Sequence, residues 1–171
     1  PETLGAFTRL KESGKIRAIG VSINSDDPES ALAIVGSGLV DAVQVIVNLF
    51  DQRAAARLLP LCREKETGVI VRCPFDEGGL SGTLTPKTRF APGDFRSYYF
   101  GGDRLAETCR RADGLKSLLL PAHAEDLASA ALKFCLSFPD VSTVIPGMRL
   151  AAHVEANARA ADGNYFAGEL I

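Results

Sequence analysis

A parallel α/β fold, built as a barrel or as a doubly wound sheet, is what this sequence predicts, and three observations predict it. Short runs rich in β-branched residues alternate with runs of helical periodicity, giving four β-α units. The first three strand-like runs begin near 16, 42 and 69, about one β-α unit apart, as parallel strands joined by right-handed helical crossovers require. The helical runs are numerous enough to cover both faces of such a sheet.

Leu4, Phe7, Leu10 and Lys11 recur at helical spacing and Gly14 stops the pattern, so a helix is expected over about 2–13. "KIRAIGVS" (15–22) reads as the first strand, closed by the polar stretch that starts at Asn24. Asp27 before Pro28 is an N-cap and first-turn pair: the carboxylate accepts from a free amide, and proline lacks the proton that would be orphaned there. The helix it starts should run over about 28–35 and end at Gly36 or Gly38. "DAVQVIV" (41–47) is the second strand, "AAARLLPLCREKE" (54–66) a helix that Pro60 should kink or shorten, and "GVIVRCP" (68–74) the third strand.

The repeat then breaks. Residues 76–103 carry Gly, Pro and turn residues without sustained periodicity, and a segment of that length is expected to be either functional or disordered. Its aromatic cluster, Phe95, Tyr98, Tyr99 and Phe100, predicts an ordered lid, because such side chains seek buried contact. Helices are expected over about 104–119 and 124–137, the second with Leu127, Ala131, Phe134, Cys135 and Phe138 on one face. "VSTVI" (141–145) is the fourth strand and "LAAHVEANARAA" (150–161) the last helix.

Composition sets the outer bounds. A length of 171 residues fits one domain, and 46% apolar with 23% charged residues is the make-up of a soluble globular chain. With 19 basic against 21 acidic residues the net charge is -2, which gives no bulk electrostatic case for nucleic acid or an anionic membrane. No apolar run approaches the roughly 20 residues that span a bilayer. No charged-then-apolar leader opens the chain, so a cytoplasmic location is expected. Cys62, Cys73, Cys109 and Cys135 form no close C-x-x-C pair and only 2 histidines accompany them, so reduced thiols are expected and a metal site is not. The chain begins at Pro1, inside a helical pattern, which predicts that residues precede it.

Five motifs, "GKIRAIGVS", "DAVQVIVNLFD", "GVIVRCPF" with "GGLSG" after it, "ALKFCLS" and "VSTVIPGMR…HVEAN", together resemble the C-terminal half of an aldo-keto reductase, in the family's order and over nearly the whole chain. The resemblance implies a (β/α)8 TIM-barrel type fold of which this chain carries the fifth to eighth strands, with chemistry at the strands' C-terminal ends. It implies NADPH-dependent reduction of an aldehyde or ketone to an alcohol. The family's catalytic aspartate, tyrosine, lysine and histidine would lie in the other half, the tyrosine serving as general acid. Tyr98, Tyr99, Tyr165 and His123 match none of those positions, so no catalytic residue is assigned here.

What the resemblance assigns to this half is most of an NADP(H) site. Ser22 and Gln44 match the serine and glutamine that hydrogen-bond the nicotinamide carboxamide. Arg72 stands where many members stack a tyrosine on the ring, and a guanidinium can also lie flat there. Gly79, with Gly78 and Gly82, matches the loop that covers the pyrophosphate. Gly147, Met148 and Arg149 form the turn after the last strand, with Arg149 facing the 2′-phosphate, and Asn157 matches an adenine contact. The chain also departs from the pattern. Ile23 follows Ser22 where asparagine is usual, which delays Asn24 by one place, and an acidic residue before Asn157 is replaced by Ala156.

The implied partner is a small-molecule carbonyl substrate once the barrel is complete, with no nucleic acid and no membrane. A second reading is a non-catalytic half-barrel that binds dinucleotide or assembles with another chain, by self-association or with an N-terminal half-barrel, because its outer strands would have unpaired edges. A third is an unrelated doubly wound domain, although no G-x-G-x-x-G strand-turn-helix is present.

Overall fold

The computed structural model describes residues 2–24 and 27–168. They fall into two compact units, one of Pro1–Val47, Asp51–Arg72 and Phe138–Ile145, the other of Asn48–Phe50, Cys73–Ser137 and Pro146–Ile171.

The first unit holds the sheet: β1 (Gly20–Ser22), β2 (Ala42–Ile46), β3 (Gly68–Arg72) and β4 (Thr143–Ile145), all parallel and in the order β1-β2-β3-β4. Strand residues alternate between faces. Val43, Val45, Val69 and Val71 are buried on one face, and α3 (Arg53–Glu64) packs on β3 and buries Leu58, Leu59 and Cys62. Each such apolar side chain contributes about 1.5–3 kcal/mol over leaving it in water. The other face carries Ser22, Gln44, Ile46, Ile70 and Arg72, none of them buried. One covered and one open face is the pattern of a barrel wall, not of a doubly wound sheet covered on both sides.

Several boundaries move, each for a local reason. The first strand was expected from residue 15 but begins at Gly20. Upstream amides are taken: Lys15 N–H and Ile16 N–H donate to the Leu10 carbonyl to close α1 (Glu2–Glu12), and Ile19 N–H donates to the Asp41 carboxylate at 2.7 Å. Asp41 is fixed in turn by the Lys11 ammonium at 2.6 Å, which with the Ile19 amide holds its carboxyl below the usual range. Asp27 does cap its helix, accepting from Glu29 N–H at 3.0 Å, but the chain first makes a 3-10 turn, Pro28–Ala31, before α2 (Leu32–Gly36).

Pro60 does not end α3, which runs through it; Pro60 and Ala56, the residue whose carbonyl loses a donor, are both exposed, where solvent can reach the vacant acceptor. The fourth strand opens at Thr143 because Ser142 spends its hydroxyl on Val69 N–H at 3.0 Å while its own amide donates to the Val69 carbonyl.

The second unit is helical: α4 (Phe95–Tyr99), α5 (Arg104–Leu119), α6 (Leu127–Ser137) and α7 (Ala151–Arg159). Its core joins Leu80, Ala112, Leu127 and Ala131, with Leu49, Phe50, Phe75 and Leu115 against them. The predicted face of α6 is buried as far as Cys135, but Ala130, Leu132 and Lys133 are buried too, so α6 is enclosed on more than one side. It begins at Leu127 rather than 124, where Asp126 accepts from Ser129 N–H at 2.7 Å.

Lys133, 9% exposed, bonds Asp162 at 2.9 Å and the Asn164 carbonyl at 3.1 Å, while Ser137 Oγ accepts from Phe166 N–H at 2.9 Å. These bonds fasten the last described stretch onto α6. No helix among the described residues is long and apolar enough to cross a membrane. No disulfide joins the four cysteines among the described residues; Cys62, Cys109 and Cys135 are buried, and burial pushes the Cys135 thiol up to about 12.

Candidate functional site

In the first unit the register sets Ser22 directly beside Gln44 across the β1–β2 ladder, and Ile46 beside Arg72 across β2–β3. Paired residues of parallel strands share a face, so Ser22, Gln44 and Arg72 project from the open side of the sheet near its C-terminal edge. Among the described residues neither the Ser22 hydroxyl nor the Gln44 amide takes a hydrogen-bond partner. The Arg72 guanidinium donates from Nη2 to the Ile23 carbonyl at 2.8 Å. That bond joins the end of β3 to the residue after β1, so the side chain spans the intervening β2.

The extra residue after Ser22 behaves as a strand residue should. Ile23 is 6% exposed and its amide continues the ladder to the Gln44 carbonyl, while Asn24 is exposed. Where the family usually places an asparagine, this chain packs an apolar side chain.

In the second unit, Gly79 has a structural reason to be glycine. A Cβ there would lie 2.7 Å from the Thr108 methyl and 3.1 Å from an Asp76 oxygen, both in its own unit, so no larger residue fits without a shift. Gly147 is the opposite case, with nothing near its missing Cβ, and Met148 and Arg149 beside it are exposed. Arg149 lends its charge to Asp94, whose carboxyl is held at about 2, first by the side-chain bond from Arg96.

The turn leads into α7, whose N-cap Leu150 offers no side-chain oxygen, so the first amides of that helix keep no cap. Farther along α7, Asn157 borders a cavity of roughly 370 Å³ that is also lined by Asp126, Ser129, Lys133, Ala160 and Asp162. Its side-chain nitrogen is buried without a hydrogen-bond partner. A donor kept dry and unsatisfied is costly unless something accepts from it.

The segment over 76–103 is tied by contacts that the sequence did not reveal. Tyr99 donates its hydroxyl to Asp76 at 2.6 Å, the Arg104 guanidinium lies 3.7 Å over the Tyr99 ring, and Phe100 stacks on Phe90 at 5.5 Å. Burial, and then the Asp76 carboxylate, push the Tyr99 phenol above its usual range. The expected cluster is thus half packed: Phe100 is buried and Tyr99 partly so, but Tyr98 is 85% exposed and Phe95 is exposed. Asn48 also went unread. It is 1% exposed, donates to the Cys73 carbonyl at 3.0 Å and accepts from Phe50 N–H at 2.8 Å. The only signal for it in the sequence was a polar residue directly after an apolar strand.

A parallel β-α sheet with one valine-filled face and polar side chains at its C-terminal edge defines a barrel-type α/β protein. The chain belongs to the aldo/keto reductase family, whose profile matches residues 1–166, beginning at its first residue and covering nearly all of it. It is similar to the NADH-specific methylglyoxal reductase of Escherichia coli, at 28% identity over 95% of this chain and 49% of that protein. It is also similar to the aldo-keto reductase yakc [NADP(+)] of Schizosaccharomyces pombe, at 29% identity over 90% of this chain and 46% of that protein. Among solved structures, the holo form of aldo-keto reductase AKR11C1 from Bacillus halodurans superimposes with a TM-score of 0.73 at 27% identity, covering 99% of this chain and 51% of that one. The chain spans about half the length of the curated relatives it matches.

Proposed function

We propose that this chain supplies the cofactor-binding part of an NAD(P)-dependent aldo-keto reductase, that its four strands are the fifth to eighth of the family's barrel, and that residues 76–103 act as its lid. The observation that carries the reading is the Ser22–Gln44 pair: adjacent in register, on the open face, at the strand ends, with no partner among the described residues. A carboxamide offers one acceptor and two donors, and a hydroxyl beside an amide is a complementary set. When bound, the nicotinamide cofactor supplies the hydride that reduces a small carbonyl compound to its alcohol. Ser22 and Gln44 would hold the carboxamide and so fix which ring face is presented, while the proton donor would come from outside this chain.

In the second unit, the unsatisfied Asn157 nitrogen suits a ring acceptor of adenine, and exposed Arg149 beside the uncapped start of α7 suits the 2′-phosphate of NADP(H). The related proteins include both an NADH-specific and an NADP(+) enzyme, so the preference rests on Arg149. A cytoplasmic setting is part of the proposal, supported by four cysteines that form no disulfide among the described residues.

Fluorescence titration with NADPH and NADH tests this directly. Ser22→Ala and Gln44→Ala should each weaken both cofactors roughly tenfold, the worth of about one hydrogen bond. Arg149→Ala should weaken NADPH alone by at least that factor. If all three variants bind as the wild type does, the assignment is wrong.

A second reading is assembly, with another copy of this chain or with an N-terminal half-barrel. It is favoured by β1 and β4, each of which has one sheet neighbour among the described residues. Sedimentation should then give a mass of two chains, and a monomer at micromolar concentration would argue against it.

A further inference from the structure

We infer that Asp126 reads the 6-amino group of the cofactor's adenine, so that the site accepts an adenine dinucleotide and rejects one whose purine carries an oxygen at that position. The inference rests on the reading of Asn157 as an adenine contact and goes beyond it, by naming the residue that tells one purine from another. The cavity that Asn157 borders, of roughly 370 Å³, is lined from both α6 and α7 and has the size of a small-molecule pocket. Ala128 of α6, Ala156 of α7 and Ala160 at the end of α7 face it with side chains of a single carbon, which leaves room for a flat ring.

The polar groups around the cavity differ in what they have to spare. Lys133 and Asp162 border it but are joined to each other at 2.9 Å, and Asp162 also accepts from Asn164 N–H at 2.8 Å. Asn157 holds a donor from which no described group accepts. Asp126 holds the complementary half. One of its oxygens accepts from Ser129 N–H at 2.7 Å, which caps α6 and fixes the carboxylate, while the other takes no bond among the described residues. The residue beside Asn157 on α7 is Ala156, whose side chain has no acceptor, and Glu155 does not border the cavity.

One edge of adenine presents a ring acceptor, N7, beside a donor, the 6-amino group; a 6-oxo purine presents two acceptors there. A carboxylate oxygen only accepts, so it bonds the first edge with the help of its charge and repels the second. The rest of the dinucleotide is common to both purines and cancels in the ratio of their affinities. Glu125 also borders the cavity, but it is exposed and makes no hydrogen bond among the described residues. Ordering it would cost side-chain entropy that the capped Asp126 has already lost.

The test compares NADPH with reduced nicotinamide hypoxanthine dinucleotide phosphate, its 6-oxo analogue, by titration calorimetry. The wild type should bind NADPH at least about tenfold more tightly, the worth of one hydrogen bond to a charged group. In Asp126→Asn the carbonyl oxygen keeps the cap on Ser129 N–H while the amide nitrogen turns the spare acceptor into a donor, so the preference should reverse. Asp126→Ser keeps the cap alone and should bring the ratio to within about threefold of unity. Glu125→Gln should leave the ratio as it is in the wild type. If the wild type binds the two dinucleotides alike, if Asp126→Asn changes both affinities by the same factor, or if Glu125→Gln abolishes the preference, Asp126 only caps α6 and the inference fails while the adenine reading stands. If the wild type binds neither dinucleotide, both fail together. Should Asp126→Asn not fold, the wild-type ratio and that of Asp126→Ser decide.

Discussion

Replacing Phe134 by alanine is expected to lower the unfolding free energy by about 3–5 kcal/mol, roughly a fifth or more of the stability of an ordinary domain. Phe134 is 1% exposed and is the largest of the fully buried side chains. It sits in α6, the one helix of its unit buried on several sides, next to Ala130 and Ala131, whose small side chains cannot swing in to fill the vacated volume. The loss then combines the transfer term for the ring with a persistent cavity. Guanidinium unfolding of Phe134→Ala against the wild type measures it, with Tyr98→Ala as control, since a ring 85% exposed should change stability by less than about 0.5 kcal/mol. A Phe134→Ala cost below about 1 kcal/mol would show that α6 is not the core of its unit.

Where the sequence was legible, the signals were local. Gly14 stops α1 and adopts φ +73, Asp27 caps its helix, and the alternation in "DAVQVIV" and "GVIVRCP" locates β2 and β3 to within a residue or two. Ser22 and Gln44 were singled out by the family resemblance alone, and it is the β1–β2 register that sets them on a common face. Misreadings came where distant residues compete for backbone groups. The first strand lost its opening residues because Asp41, 22 positions away, takes the Ile19 amide, and no window of sequence contains that contest.

The segment over 76–103 is the clearest case. It has no period to read, yet Asp76 and Tyr99, 23 residues apart, close it with one hydrogen bond. Gly79 was read as a place where a ligand comes close; Thr108 and Asp76 crowd the position its Cβ would take. Composition alone cannot distinguish a glycine that admits a ligand from one that admits a neighbouring side chain.

Asn48 carries the second large effect. Asn48→Ala should cost about 1–3 kcal/mol, because the side chain closes two bonds at once: its loss strands the partly buried Phe50 N–H and removes one donor from the Cys73 carbonyl, which also accepts from Asp76 N–H at 3.1 Å. More hangs on the contact than its energy. Cys73, Asp76 and Glu77 all lie at φ between +47 and +55, a region that costs a non-glycine residue about a kilocalorie or more, so the turn needs outside restraint to persist. Asn48 restrains its start, as Tyr99 restrains Asp76. Hydrogen exchange distinguishes this from a uniform loss of stability: amides of residues 75–80 should exchange at least tenfold faster in Asn48→Ala while those inside α6 change only in step with the global cost. Asn48→Asp keeps the acceptor for Phe50 but places a buried carboxylate beside the Cys73 carbonyl, so it should be no better than alanine. Wild-type stability and exchange in both variants would mean that Tyr99 and the packing around Gly79 hold the turn without Asn48.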